Sequence, residues 1–181
     1  MHSLITDSSV PSLIELELDA AAFSADWGHC DRTANYLARL ASFDRRDAFL
    51  YGNLLSTVLN ELFEIVFCEH QTPGIVRCTL LRNGIADRIV LEIPVRDAQR
   101  AFYEQGVARS QAPEAADTYT RTMFGEATPD RSIGFLELAA DYGAKIELAG
   151  ATSDILQLIV EVRLEDGPLS HPSAATPATS V

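Results

Sequence analysis

Apolar positions along this chain change period several times, and each change marks an element. Between Ala48 and His70 the run AFLYGNLLSTVLNELFEIVFCEH places Leu54, Leu55, Val58, Leu59, Leu62, Phe63 and Val66 at helical spacing. That predicts a long helix with a wide buried face. Asn60, Glu61 and Glu64 interrupt the face close together, where a ligand could approach. Upstream, Leu13 to Leu18 alternates apolar and acidic residues, as a half-buried strand does. Cys30 to Ala41 reads as a helix with Ala34, Leu37, Ala38 and Ala41 on one side.

The pattern then switches to strands. Ile75 to Arg82 and Ile89 to Val95 alternate on either side of Asn83-Gly84, a hairpin turn signal because both residues tolerate positive φ. Asp97 is placed to N-cap a helix reaching about Ser110. Gln111 to Asp130 is polar and broken by Pro113, Gly125 and Pro129, with one helix expected near Glu114 to Met123. A helix from Ile133 to Tyr142 ends at Gly143. Lys145 to Ala149 and Ile155 to Leu164 are the last strands, joined by a turn around Gly150 to Asp154.

Strands with no helix between them pair as antiparallel hairpins, and helices then cover one face. The expected fold is α+β: a two-layer α/β sandwich with a mixed, mostly antiparallel sheet and helices on one face. Glu15, Glu17, Arg77, Glu92, Glu147, Gln157, Glu161 and Arg163 fall on the solvent side of the strands. The expected organisation is a flexible N-terminus over 1–12, one domain over 13–165, and a disordered Pro/Ser/Ala/Thr-rich tail over 166–181.

The 181 residues suffice for one core, and no apolar run reaches the ~18 residues of a membrane helix. The start, MHSLITDSSVPS, lacks the basic and apolar parts of a secretory signal, so a cytoplasmic protein is expected. A formal charge of −12 repels nucleic acid and anionic membranes and favours a basic partner patch. Cys30, Cys68 and Cys78 are odd in number and scattered, which argues against a disulfide scaffold. Cys68-x-His70 with His29-Cys30 fits no standard zinc spacing, so no metal site is expected.

Asn60, Glu61, Leu62 and Glu64 in the long helix, with Gly134 and Asp141-Tyr142-Gly143-Ala144 later, carry a resemblance. In this order of elements the chain resembles the histidine-kinase-like ATPase superfamily (the GHKL or Bergerat fold). The likeness is to small single-domain bacterial regulators similar to anti-sigma-factor serine kinases, over Leu13 to Leu164. The resemblance implies a nucleotide site with three parts, and each part departs from the pattern here.

On the long helix the family has a side chain that handles the attacking group, then an Asn that holds magnesium one turn on. The matching positions are Glu61 and Ile65. Ile65 cannot replace the Asn, because magnesium takes oxygen ligands. Asn60 and Glu64 point roughly 140° and 100° away from it around the helix. Cys68 stands where many kinases carry a Lys. The adenine segment, Leu91 to Asp97, has no glycine, and Asp97 is a helix cap or a surviving acid. In the phosphate lid, Arg131-Ser132-Ile133-Gly134-Phe135, one glycine remains and Ser132 fills the place of the other.

The resemblance therefore implies a non-catalytic, pseudo-ATPase-like regulatory module acting in bacterial signal transduction by protein binding. No cofactor is expected. Its partner would be a signalling protein such as a response regulator or an anti-sigma-antagonist-like protein. A homodimer near the first strand is a further expectation, with Glu15 and Glu17 able to guard that edge. The alternative is an active ATP-dependent serine kinase of the anti-sigma-factor type, using Mg-ATP with Glu61 as base. A third class is a small-molecule sensor with Ile65, Phe67, Ile93 and Phe135 lining the vacated pocket.

Overall fold

The computed structural model describes residues 12–69, 72–125, 130–149, 152 and 154–164. The expected N-terminal segment lies outside these, save Ser12, which opens the first strand. The C-terminal tail and most of the turn around Gly150 also lie outside them. The elements run β1 (Ser12–Asp19), α1 (Ala20–Phe23), α2 (Gly28–Ala41), α3 (Ala48–Glu69), β2 (Ile75–Asn83), β3 (Ala86–Pro94), α4 (Asp97–Ser110), α5 (Ala115–Met123), α6 (Ile133–Tyr142), β4 (Lys145–Ala149) and β5 (Ile155–Val162). The fold is α+β, an open five-stranded sheet ordered β1-β2-β3-β5-β4.

Every strand pair among the described residues is antiparallel, where a mixed sheet was expected. The cause is the way the last hairpin docks. The chain leaves β3, passes through α4 to α6, and enters the sheet at its outer edge as β4. β5 then returns between β4 and β3. Had β4 paired with β3 directly, that contact would have been parallel.

Alternation along the strands separates two faces. Val76, Cys78, Leu80, Ile89, Leu91, Ile93, Leu156, Leu158 and Val160 join α3's Leu55, Val58, Leu59, Leu62, Phe63 and Val66 in one core. The opposite face carries a row in register, Glu17, Arg77, Glu92 and Gln157. Arg77 bridges it, 2.6 Å from Glu17 Oε1 and 2.9 Å from Glu92 Oε2.

Local chemistry sets the ends. Asp47 accepts the Leu50 N–H at 2.9 Å and opens α3. Gly143 closes α6 in the left-handed region, at φ 58°. In the β2–β3 turn Gly84 alone takes positive φ, at 62°, so its partner Asn83 stays in the strand, paired with Ala86. Asp97 is not the cap of α4: it is the first helical residue, and the Gln99 side chain accepts the Arg96 N–H at 2.9 Å. Gln99 also donates to the Glu69 carbonyl at 2.6 Å, which ties the end of α3 to the start of α4.

At the other end of the sheet lies a buried ionic cluster that the sequence pattern did not reveal. Asp87 is fully buried and meets Arg82 at 3.0 Å and Arg45 at 3.3 Å. The Tyr51 hydroxyl donates to Asp87. Arg45 lies 4.3 Å from the centre of the Tyr51 ring, a cation–π contact. Arg82 also donates to the Ala41 carbonyl at 2.6 Å and pairs with Asp44 at 2.6 Å. Burial, then the bond to Asp87, pushes the Tyr51 phenol up to about 12. The cluster joins the α2–α3 connection, α3 and the hairpin into one body.

Candidate functional site between α3 and α6

Four of the expected site residues sit on successive turns of α3, and α6 crosses against them. The crossing is close because α6 offers a glycine there. A Cβ added to Gly134 would lie 3.0 Å from Ile65 Cγ1, 3.1 Å from Ile65 Cδ1 and 3.4 Å from Glu61 Oε2. Ile65 is 3% exposed, so its alkyl chain is seated on the glycine. The helix positions that would face a metal-bound phosphate under the resemblance are thus packed against one another.

Around this contact gather carboxylates. Glu61 and Glu64 come from α3, Glu137 and Asp141 from α6, and Tyr119 from α5 faces them. Burial, then the Glu137 and Glu64 carboxylates, pushes the Glu61 carboxyl up to about 7. Glu137 is raised by burial, then by Asp141 and Glu64. Tyr119 donates to Asp141 at 3.2 Å, and burial followed by these acids lifts its phenol to about 12. Asn60 turns inward along its own helix and donates to Glu64 Oε1 at 2.6 Å. Its side-chain carbonyl oxygen is buried and accepts no hydrogen bond among the described residues. At neutral pH this group can hold or release one proton. It brings no cation to Glu61 among the described residues.

The start of α6 is closed by its own acid. Asp130 Oδ1 accepts the Ser132 N–H at 2.8 Å and the Ser132 hydroxyl at 2.6 Å. Arg109 of α4 pairs with Asp130 Oδ2 at 2.7 Å and also donates to Ser132 Oγ. Burial raises the Asp130 carboxyl, but bonds from Ser132 and Arg109 outweigh it and hold it below the usual carboxylate range. An anion approaching this helix start meets a carboxylate already in place. Arg131 reaches away, to Glu69 Oε1 at 3.2 Å.

The structure therefore brings together Asn60, Glu61, Glu64, Ile65 and Gly134, with Ser132 at the adjoining helix start. Asp97 is exposed on the first turn of α4, and its side chain has no hydrogen-bond or ion-pair partner among the described residues. Cys68 is half-buried, and burial followed by Glu64 raises its thiol, the opposite of a reactive thiolate. Ile93 and Phe135 are core residues, and half-buried Phe67 packs edge-on to Trp27 and Phe23. These are the side chains a ligand cavity would have needed as walls.

Sequence reasoning missed Glu137, Tyr119, Asp130 and Arg109. Glu137 carried a readable signal, since it lies three residues after Gly134 and so on the same side of α6. The others are set by tertiary packing. Among the described residues no three His, Cys, Asp or Glu side chains are arranged to hold a metal ion. No described helix is long and apolar enough to cross a membrane. Comparison with known proteins found no matching family model, no matching curated protein and no matching solved structure.

Proposed function

We propose that this chain is a non-catalytic regulatory module that acts in bacterial signal transduction by binding another protein. The reading follows the resemblance to the histidine-kinase-like ATPase superfamily and treats the nucleotide site as filled. The observation that carries it is Ile65 seated on Gly134, an alkyl group where the family places a magnesium ligand. Asp130 at the start of α6 supports it, since a carboxylate there opposes a phosphate. The partner is a signalling protein such as a response regulator or an anti-sigma-antagonist-like protein, met through a basic patch that complements the acidic surface.

The test is isothermal titration with ATP in the presence and absence of magnesium, beside a pull-down with the candidate partners. The expected result is no saturable nucleotide binding and recovery of a specific partner. Low-micromolar, magnesium-dependent ATP binding would overturn the reading.

That outcome belongs to the alternative, an active ATP-dependent serine kinase of the anti-sigma-factor type. One observation favours it: the Glu61 carboxyl, near 7, matches the proton affinity a general base needs at neutral pH. Under it, Glu61→Gln abolishes phosphoryl transfer.

A further inference from the structure

The two edges of the sheet are unlike. At one, β4 has five residues, and the Gln111 side chain, just past α4, donates to the Ile146 carbonyl at 2.8 Å. At the other, β1 has eight residues and pairs with β2 alone. Every second residue of such a strand directs its N–H and C=O away from its one neighbour. Between Ser12 and Leu18 those groups meet no hydrogen-bond partner among the described residues. A row of this kind is a template for one more strand.

The two faces of β1 define what that strand carries. On the core side, Ile14, Leu16 and Leu18 stand opposite Leu80, Cys78 and Val76 of β2. The three on β2 are buried, whereas the three on β1 are only half-buried. The cover of the core thus stops short of the edge, and apolar side chains placed beside β1 complete it. On the solvent side stand Glu15 and Glu17, each with more than half of its side chain exposed. Arg77 meets them at 3.3 and 2.6 Å and meets Glu92 at 2.9 Å. One guanidinium among three carboxylates leaves this group at −2. Two copies of the edge paired together bring these acids against like charge, which is unfavourable across a ladder. The acids therefore select against self-pairing and in favour of a basic strand.

We propose that the β1 edge takes up an extended segment of a partner protein as a sixth strand, one that alternates Lys or Arg with apolar residues. Its cations face Glu15 and Glu17, and its apolar side chains cover Ile14, Leu16 and Leu18. The main-chain ladder supplies affinity, and the alternation supplies specificity. This rests on the regulatory reading and gives it a surface and a partner chemistry.

The probe is a fluorescein-labelled peptide alternating Lys and Val over about ten residues, the upper end of ordinary strand length. Anisotropy with the full chain is expected to show saturable binding that weakens in about 0.5 M salt. In a bound strand the Lys N–H groups all face one side and the Val N–H groups the other. N-methylation of one set is therefore expected to abolish binding, and N-methylation of the other to spare it. Glu15→Lys combined with Glu17→Lys turns two cross-strand attractions into repulsions. That variant is expected to bind the Lys/Val peptide at least about tenfold more weakly and to prefer a Glu/Val peptide. Unchanged circular dichroism and urea midpoints establish that it folds, and the methylation arm uses the unaltered chain. No saturable binding overturns the proposal. So does binding that survives both methylations, which is attraction to an acidic surface without a ladder. A doubled mass in sedimentation that the Glu15 and Glu17 substitutions alter puts a second copy on the edge and overturns it too. A peptide that fails to bind a chain that also ignores ATP removes this surface and leaves the regulatory reading standing; magnesium-dependent ATP binding removes the reading itself.

Discussion

Replacing Glu61 by glutamine removes one titration while keeping the shape of the side chain against Gly134. In the folded chain, burial and the carboxylates Glu137 and Glu64 lift the Glu61 pKa from 4.5 to about 7. Between those values the folded protein holds a proton that the unfolded chain has released. Its stability therefore falls as pH rises through this window and levels off above about 7. The shift corresponds to ~3 kcal/mol at ~1.4 kcal/mol for each pH unit. Glu61 is only partly buried, and water screens its neighbours, so about 1–2 kcal/mol is the expected effect.

The assay is urea unfolding followed by circular dichroism from pH 5 to pH 9. Wild type and Glu61→Gln should be nearly equal at pH 5. At pH 8 the variant should be more stable by about 1–2 kcal/mol, a midpoint shift of roughly 0.5–1 M urea. Glu137→Gln, which removes a neighbouring charge, should flatten the same slope in part. Parallel curves for wild type and Glu61→Gln across the range would refute the reasoning. Glu61 would then ionise as an ordinary surface acid, and the packing of α6 over it would carry no electrostatic cost.

Two further predictions concern packing. Asp87→Ala leaves Arg45 and Arg82 facing a gap where their shared carboxylate stood, and removes the acceptor of Tyr51. A loss of about 3–5 kcal/mol is expected in the same unfolding assay. Gly134→Ala sets a methyl 3.0 Å from Ile65 and should cost about 1–3 kcal/mol. Ile65→Val removes the Cδ1 atom from that contact, so the double variant should lose less than the two single losses added. Strict additivity would show that the two side chains do not meet.

Much of the fold was written in local pattern, because local pattern is what these elements obey. The α3 run is apolar at helical spacing for most of its length, and α6 ends at Gly143, where a left-handed residue is needed. Sheet composition was less legible. Nothing near Lys145 or Ile155 says which strand of the last hairpin will face β3, and that choice alone decides between a mixed and an antiparallel sheet. Asp97 shows a different limit. Asp is a favoured cap, yet Gln99 satisfies the Arg96 N–H while its amide donates to Glu69, so a contact distant in sequence displaced a local preference.

The candidate site divides in the same way. That Ile65 could not hold a cation followed from its chemistry alone, since an alkyl group offers no oxygen. That it rests on Gly134 required α3 and α6 to be placed together. Asp130 and Glu137 explain why the site is electrically hostile to an anion. Each reads as an ordinary surface acid in sequence, and each acquires meaning from what folds over it. Asp130 is held by Arg109, 21 residues earlier, and Glu137 acts through the field it sets up at Glu61. The buried cluster is the extreme case. Asp87 and Arg82 occupy opposed positions in a hairpin, which a solvated pair would also do. Arg45 and Tyr51 arrive from 42 and 36 residues away and convert that pair into an interior one. A charge enters a core only when its partners are delivered by other elements. Sequence pattern reports what each segment prefers alone, and the groups that decide this protein's chemistry are those whose surroundings come from elsewhere in the chain.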